Sequence, residues 1–278
     1  MSDPFVECER IVQQDDPDRA VATAFAPADR RPFLNALYAF DLETARVRRI
    51  VSQPLPGEIR LQWWRDRLDA LEADPLTRGG QGSPVAEALL QTIERCDLPL
   101  DAFRNLLEAR IFDLYDDPMP SRTDLETYAG ETASAVMILA AMVLDREAAP
   151  RAADVAGHAG VAVVAVAALR LLASRPLHAQ IFFPSDVLEA VGCSRDALQT
   201  GDVDATARAR TAMIAFARDH LAAARNGFGA LPKSLRPAFL MLEPLDRSLR
   251  ALEGGDASGE TRANPLRRLF GYWRSMRR

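Results

Sequence analysis

The sequence predicts an all-α protein folded as one domain. Apolar residues recur at helical spacing along almost the whole chain, and alternating, strand-like patterns are nearly absent. They make up 48% of the 278 residues, enough for a sizeable core. No internal repeat interrupts the pattern, and no linker is rich enough in turn-forming residues to divide the chain into separate domains. Eight or more long helices in one bundle is the architecture these features imply.

The elements follow in order. DDPD at 15–18 is a helix start or capping segment. Pro32 suits the first turn of a helix running to about Val51. Pro54, Pro56 and Gly57 read as a turn. A helix from about Glu58 to Glu72 follows, with Leu61, Trp64, Leu68 and Leu71 on one stripe. Residues 74–84 form a loop, and further helices are expected near 85–96, 100–115, 123–145, 151–174, 204–226, 235–252 and 264–276. The expected organisation is a helical domain over 1–252, a flexible link over 253–263 (253 EGGDASGETRA), and a basic amphipathic C-terminal helix over 264–278.

Bulk properties narrow the function classes. A net charge of −5 gives no reason to expect a nucleic-acid partner. Cys8, Cys96 and Cys193 are scattered and odd in number, which argues against a disulfide framework or a zinc site. The opening MSDPFVECER is polar and acidic, so no targeting peptide is expected there. The longest apolar run, Val161 to Leu169, is too short for a bilayer and ends at Arg170. A soluble, cytoplasmic protein is expected, peripheral at the inner membrane at most.

Four segments carry a resemblance, in order and spacing rather than singly. They are Ala36–Phe40, the Trp63–Trp64 helix, DLETYAGETASAV at 124–136, and the stretch from Gly160 to Gly192 containing Leu169–Arg170 and Pro184–Asp186. Together they resemble the squalene/phytoene synthase family over roughly residues 18–245. The resemblance implies the isoprenoid-synthase helical bundle. In active members of that family it implies two aspartate motifs on facing helices, which hold Mg²⁺ against the diphosphate of a prenyl substrate. Mg²⁺ wants oxygen ligands and bridges carboxylates to phosphate. Here the first motif maps onto Ala45, Arg46 and Arg49, and the second onto Leu171 and Arg175. No acid lies between Val155 and Pro184 to rescue the second motif by a slip of register. Within the family, ALYAF followed by Glu43, Ala45, Arg46, Val47 and Arg48, then Glu58, Arg60, Gln62, Trp63, Trp64 and Arg65, resembles a non-catalytic branch. Mitochondrial members of that branch act in assembly of respiratory complex I, and the resemblance implies a bacterial relative.

Other constellations have blander readings. Asp113, Asp116 and Asp117 read as a solvated helix end before Pro118. Asp66 and Asp69 read as an outer face beside Arg65 and Arg67. His158, His178 and His220 are far apart, with no ligand-spaced partner. Ser134 and Ser174 lack a nucleophile elbow, and the glycines at 79, 80 and 82 lack the Gly-Lys-Ser/Thr of a phosphate loop. Trp63–Trp64 reads as core.

The arginines remain. Arg46, Arg49, Arg170 and Arg175 are the candidate anion- or ligand-binding residues, because guanidinium offers bidentate donors to phosphate. The alternative for them is ion pairing with Asp41, Glu43 or other acids. NPLRRLFGYWRSMRR at 264–278 carries five Arg and no acid. Its Leu266, Leu269, Phe270 and Trp273 are candidate membrane contacts, or else pack back on the body. The leading expectation is a non-catalytic factor of lipid- or anion-binding or complex I assembly type, with no catalytic residue, metal or other cofactor. Its partner would be a lipid, a prenyl diphosphate or a respiratory-complex subunit. The competing reading is an active prenyltransferase that condenses two prenyl diphosphates, and only that reading requires Mg²⁺.

Overall fold

A computed structural model describes residues 3–73, 82–115, 117–174, 182–256 and 265–277. Its elements in chain order begin with α1 (Pro4–Asp15), α2 (Pro17–Thr23), α3 (Arg31–Ile50) and α4 (Pro54–Ala73). Next come α5 (Pro84–Cys96), α6 (Leu100–Phe112), α7 (Arg122–Ala129) and α8 (Ala135–Leu144). The chain then continues through α9 (Ala153–Ser174), α10 (Ser185–Ala190), α11 (Arg195–Thr200), α12 (Val203–Phe228), α13 (Leu242–Glu253) and α14 (Pro265–Arg277). Among the described residues there is no strand.

Local sequence explains most boundaries. Asp16 accepts from the Arg19 amide and opens α2, as the DDPD segment predicts, and Asp202 caps α12 in the same way. Ser83, Ser121 and Ser194 cap α5, α7 and α11. The expected turn at Pro54–Gly57 is instead the first turn of α4. Proline there costs nothing, since first-turn amides have no intrahelical partner. Gly57 lets the turn pack closely on the Leu114 side chain, whose methyl would lie 2.5 Å from a Cβ here and would have to shift. Residues 74–81, most of the expected loop, lie outside the described residues, as do 257–264 of the expected link.

Packing centres on α3 and α9. Leu34, Ala36, Leu37, Ala39 and Phe40 of α3 are buried against α1, α5 and α8, and Phe40 meets Trp64 of α4 edge-on at 5.0 Å. Trp64 is therefore core, as expected, while Trp63 lies half-buried beneath Arg67. α9 runs along α12; buried Ala156, Ala159, Ala162 and Ala165 lie on α9, and buried Ala209, Ala217 and Ala224 on α12. Such small side chains let helix axes approach closely. The continuous helix expected over 123–145 is interrupted by a π-turn at Gly130–Ser134. Ser134 there presses on α9, and a Cβ at Gly160 would fall 2.0 Å from Ser134 Oγ and 2.6 Å from its amide nitrogen.

Two stretches, Arg122–Leu144 and Ala149–Ala173, are long and apolar enough to cross a membrane by length and composition. Their best windows are 67% and 61% buried inside the bundle, so that apolarity serves the core.

Candidate functional site

The chemistry-bearing side chains of α3 gather at a buried ionic network rather than at an open acidic site. Asp41 is 6% exposed. One of its carboxylate oxygens accepts from Arg110 of α6 at 3.0 Å and the other from Arg19 of α2 at 2.7 Å. Arg110 also donates to Asp113 at 3.3 Å and to the Tyr128 hydroxyl at 2.9 Å, and that hydroxyl donates to Asp113 at 2.7 Å. Arg19 lies over the Tyr38 ring and reaches Asp16 at 3.5 Å. Four helices are tied together here by charge-assisted bonds.

Burial and charge pull these groups in opposite directions. Burial favours the neutral acid at Asp41, but the two guanidiniums outweigh it and hold the carboxyl below its ordinary range. At Asp113 burial wins over Arg110 and the Tyr128 hydroxyl, and the acid is raised. Burial pushes Tyr38 up to about 12 and raises Tyr128 as well. The solvated helix end expected at Asp113 is corrected: the residue is 9% exposed and fully engaged. The reason is tertiary, because Tyr128 arrives from a separate helix. Asp116 lies outside the described residues.

The candidate arginines are dispersed by their partners. Arg46 ion-pairs with Asp15 at the end of α1. Arg170 donates to Ser248 of α13. Arg49 is exposed on the last turn of α3, and Arg175 lies outside the described residues. Arg46 and Arg170 are thus engaged by different elements. Asp69 pairs with Arg104 of α6, and Asp66 accepts from Gln62.

The positions that the sequence resemblance assigns to the two aspartate motifs carry other side chains. α3 presents Ala45, Arg46 and Arg49 there, and α9 presents Leu171. None of these offers an oxygen ligand. The nearest buried acid on α3, Asp41, has both oxygens committed to arginines. Among the described residues no group of three or more His, Cys, Asp or Glu side chains is arranged to hold a metal ion.

Two juxtapositions escaped the sequence. His158 of α9 and His220 of α12 meet with their Nδ1 atoms 3.1 Å apart, and Glu126 of α7 lies 3.5 Å from His220 Nε2. Sixty-two residues separate the pair in sequence, and no local pattern announces it. The second concerns α14. Its Leu266, Leu269, Phe270 and Trp273 all face outward, from 43% to 73% exposed. The body is gripped instead by Arg268 on Asp18, by fully buried Tyr272 against Phe25, and by Ser275 on Glu243. Positions 268, 272 and 275 form the inner stripe of the helix, and the apolar stripe is left outside.

Comparison with known proteins agrees with this architecture. A sequence model of squalene/phytoene synthase matches residues 12–269. The rat protein named NADH dehydrogenase (ubiquinone) complex I, assembly factor 6 is 28% identical over 255 residues, spanning 91% of this chain and 75% of its own. The human protein of that name is 26% identical over 250 residues, spanning 90% and 74%. In fold, the chain is similar to the squalene synthase HpnC of Alicyclobacillus acidocaldarius, with a TM-score of 0.75 at 20% identity, covering 91% of this chain and 94% of that one. A dehydrosqualene synthase solved with ligand gives a TM-score of 0.77 at 18% identity, covering 98% and 95%.

Proposed function

We propose that this chain, which belongs to the squalene/phytoene synthase family, works without prenyl transfer as an assembly factor for respiratory complex I. The observation that carries this reading is the donor set at the two motif positions. Prenyl transfer in this family needs oxygen ligands that concentrate Mg²⁺ around a leaving diphosphate. Ala45, Arg46, Arg49 and Leu171 supply none, and the arginines repel the cation. Asp41 is committed elsewhere, because releasing it would take a shared carboxylate from the buried Arg19 and Arg110. What the residues do instead is hold helices. The Asp41 network locks α2, α3, α6 and α7 together, which makes the bundle a rigid body that presents surfaces. The likeness to proteins named complex I assembly factor 6 over nine-tenths of the chain supports the same role.

Complex I assembles at a membrane, and the outward apolar stripe of α14, flanked by Arg274 and Arg277, is the surface of this factor suited to contact it. Deleting the gene in its host tests the function. Assembled complex I on native gels should fall while synthesis of its subunits continues. Undiminished complex I in the deletion strain would refute the proposal.

A further inference from the structure

The apolar side chains of α14 are not alone. Ile50, Leu55 and Ile59 are 54%, 65% and 62% exposed, and all three lie at the short elbow between α3 and α4. Leu55 and Ile59 are one turn apart and share a helix face. The exposed arginines Arg49 and Arg60 flank them. Glu58, the acid between Leu55 and Arg60, accepts from the Tyr115 hydroxyl and keeps its charge, and Asp117 acts on the same hydroxyl. The elbow is not a floppy loop. Gly57 packs closely on the Leu114 side chain, and the Glu58–Tyr115 bond ties the same turn to the segment after α6. Apolar residues held outward beside two exposed arginines are unexplained by the core.

The elbow and α14 are both tied to the α1–α2 junction, their shared anchor. Asp15 holds Arg46, one turn before Ile50, and Asp18 holds Arg268 and receives the Tyr272 hydroxyl. Those two aspartates are three positions apart, so side chains from α3 and α14 reach the same junction. Within the described part of α14 there is no acid to offset its arginines.

We propose that the α3–α4 elbow is a second membrane-contacting element, which acts with α14 as one two-pronged docking face for an anionic lipid surface. The proposal rests on the reading of α14 as a membrane contact and adds the elbow to it. The charge argues for lipid: both prongs combine exposed aliphatic or aromatic side chains with arginine, the composition that seats in a headgroup layer of negative charge. Two short prongs held on one rigid body bind more tightly than either alone, because the second contact is intramolecular.

Co-sedimentation of the full chain tests this, using phosphatidylcholine vesicles with and without phosphatidylglycerol. Three variants are compared with the parent: Leu55→Ser with Ile59→Ser, Phe270→Ser with Trp273→Ser, and Arg49→Glu with Arg60→Glu. All these side chains are exposed, so thermal melting should be unchanged and will identify any variant that misfolds. The parent should bind phosphatidylglycerol vesicles and release them at high salt. Each serine variant should lose about tenfold or more in partitioning, because two large apolar side chains no longer enter the interface. The glutamate variant should bind anionic vesicles more weakly than the parent, because α14 is then the only prong that supplies positive charge. If the elbow variants bind like the parent while the α14 variant is weakened, the elbow inference is wrong and the α14 reading survives. A parent that ignores vesicles overturns both. An elbow variant that instead loses self-association on a sizing column would assign the patch to a second copy of the chain and also overturn the inference.

Discussion

Replacing Asp41 with Asn tests the ionic network at its centre. The change keeps the side-chain volume and removes the charge that two guanidiniums share. Arg19 and Arg110 have side chains only 11% and 13% exposed, so water cannot take over for the lost carboxylate. Removing one partner of a buried pair costs about 3–5 kcal/mol, because uncompensated charge remains inside. Here Arg19 keeps Asp16 and Arg110 keeps Asp113, which places the expected loss near the lower end, about 3 kcal/mol. At roughly 2–4 °C per kcal/mol for a chain of this size class, Tm should fall by about 6–12 °C. Urea denaturation should show a lower midpoint at unchanged slope. The control is Arg104→Ala. Arg104 holds Asp69 at 2.8 Å and Glu72 at 2.5 Å, but those acids are 59% and 61% exposed. That loss should stay below about 1 kcal/mol. Equal effects of the two substitutions, or less than about 1 kcal/mol for Asp41→Asn, would refute the claim that burial makes this network the principal tie between its four helices.

Packing and charge set three further outcomes. Gly160→Ala should destabilise by about 1–3 kcal/mol, because its Cβ meets the Ser134 backbone, whereas Gly157→Ala, with nothing within 4 Å, should be neutral or slightly stabilising; thermal melts decide. Tyr272→Ala should undock α14, cost about 3–5 kcal/mol, and sharply accelerate amide exchange over residues 265–277, whereas Tyr272→Phe should cost little, since its hydroxyl bonds are 3.3 and 3.4 Å long. Burial and the neighbouring His158 lower the His220 pKa, so the unfolded chain binds more protons than the folded one as pH falls through about 6.5. Stability carried by neutral His220 is complete above that value and lost below it. The urea midpoint should therefore drop between about pH 7.5 and 5.5, and the drop should shrink in His220→Gln.

The long helices were legible because their apolar stripes span three or more turns. α3, α4, α5, α9 and α12 fall within a few residues of the sequence expectation. α10 and α11, at six residues each, are too short for a 3.6 period to stand out. The π-turn at Gly130–Ser134 was invisible because its cause, the approach of Ser134 to Gly160, joins residues far apart in sequence. The side chains that the resemblance assigns to the motif positions are read from residue type alone. The partners of Asp41 and Asp113 could not be. Asp41 pairs with Arg110 across 69 residues, and Asp113 with Tyr128 across 15. At the C-terminus the amphipathic pattern was plain but its orientation was not. Arg268 and Tyr272 found partners on α2, and that turned the apolar stripe outward.

The most direct test of the non-catalytic claim is to incubate the purified chain with farnesyl or geranylgeranyl diphosphate and Mg²⁺, and to measure released diphosphate alongside an active family member. A chain without oxygen ligands at the motif positions should give no release above the enzyme-free rate and no head-to-head product. Diphosphate release accompanied by a squalene- or phytoene-type product would contradict the claim.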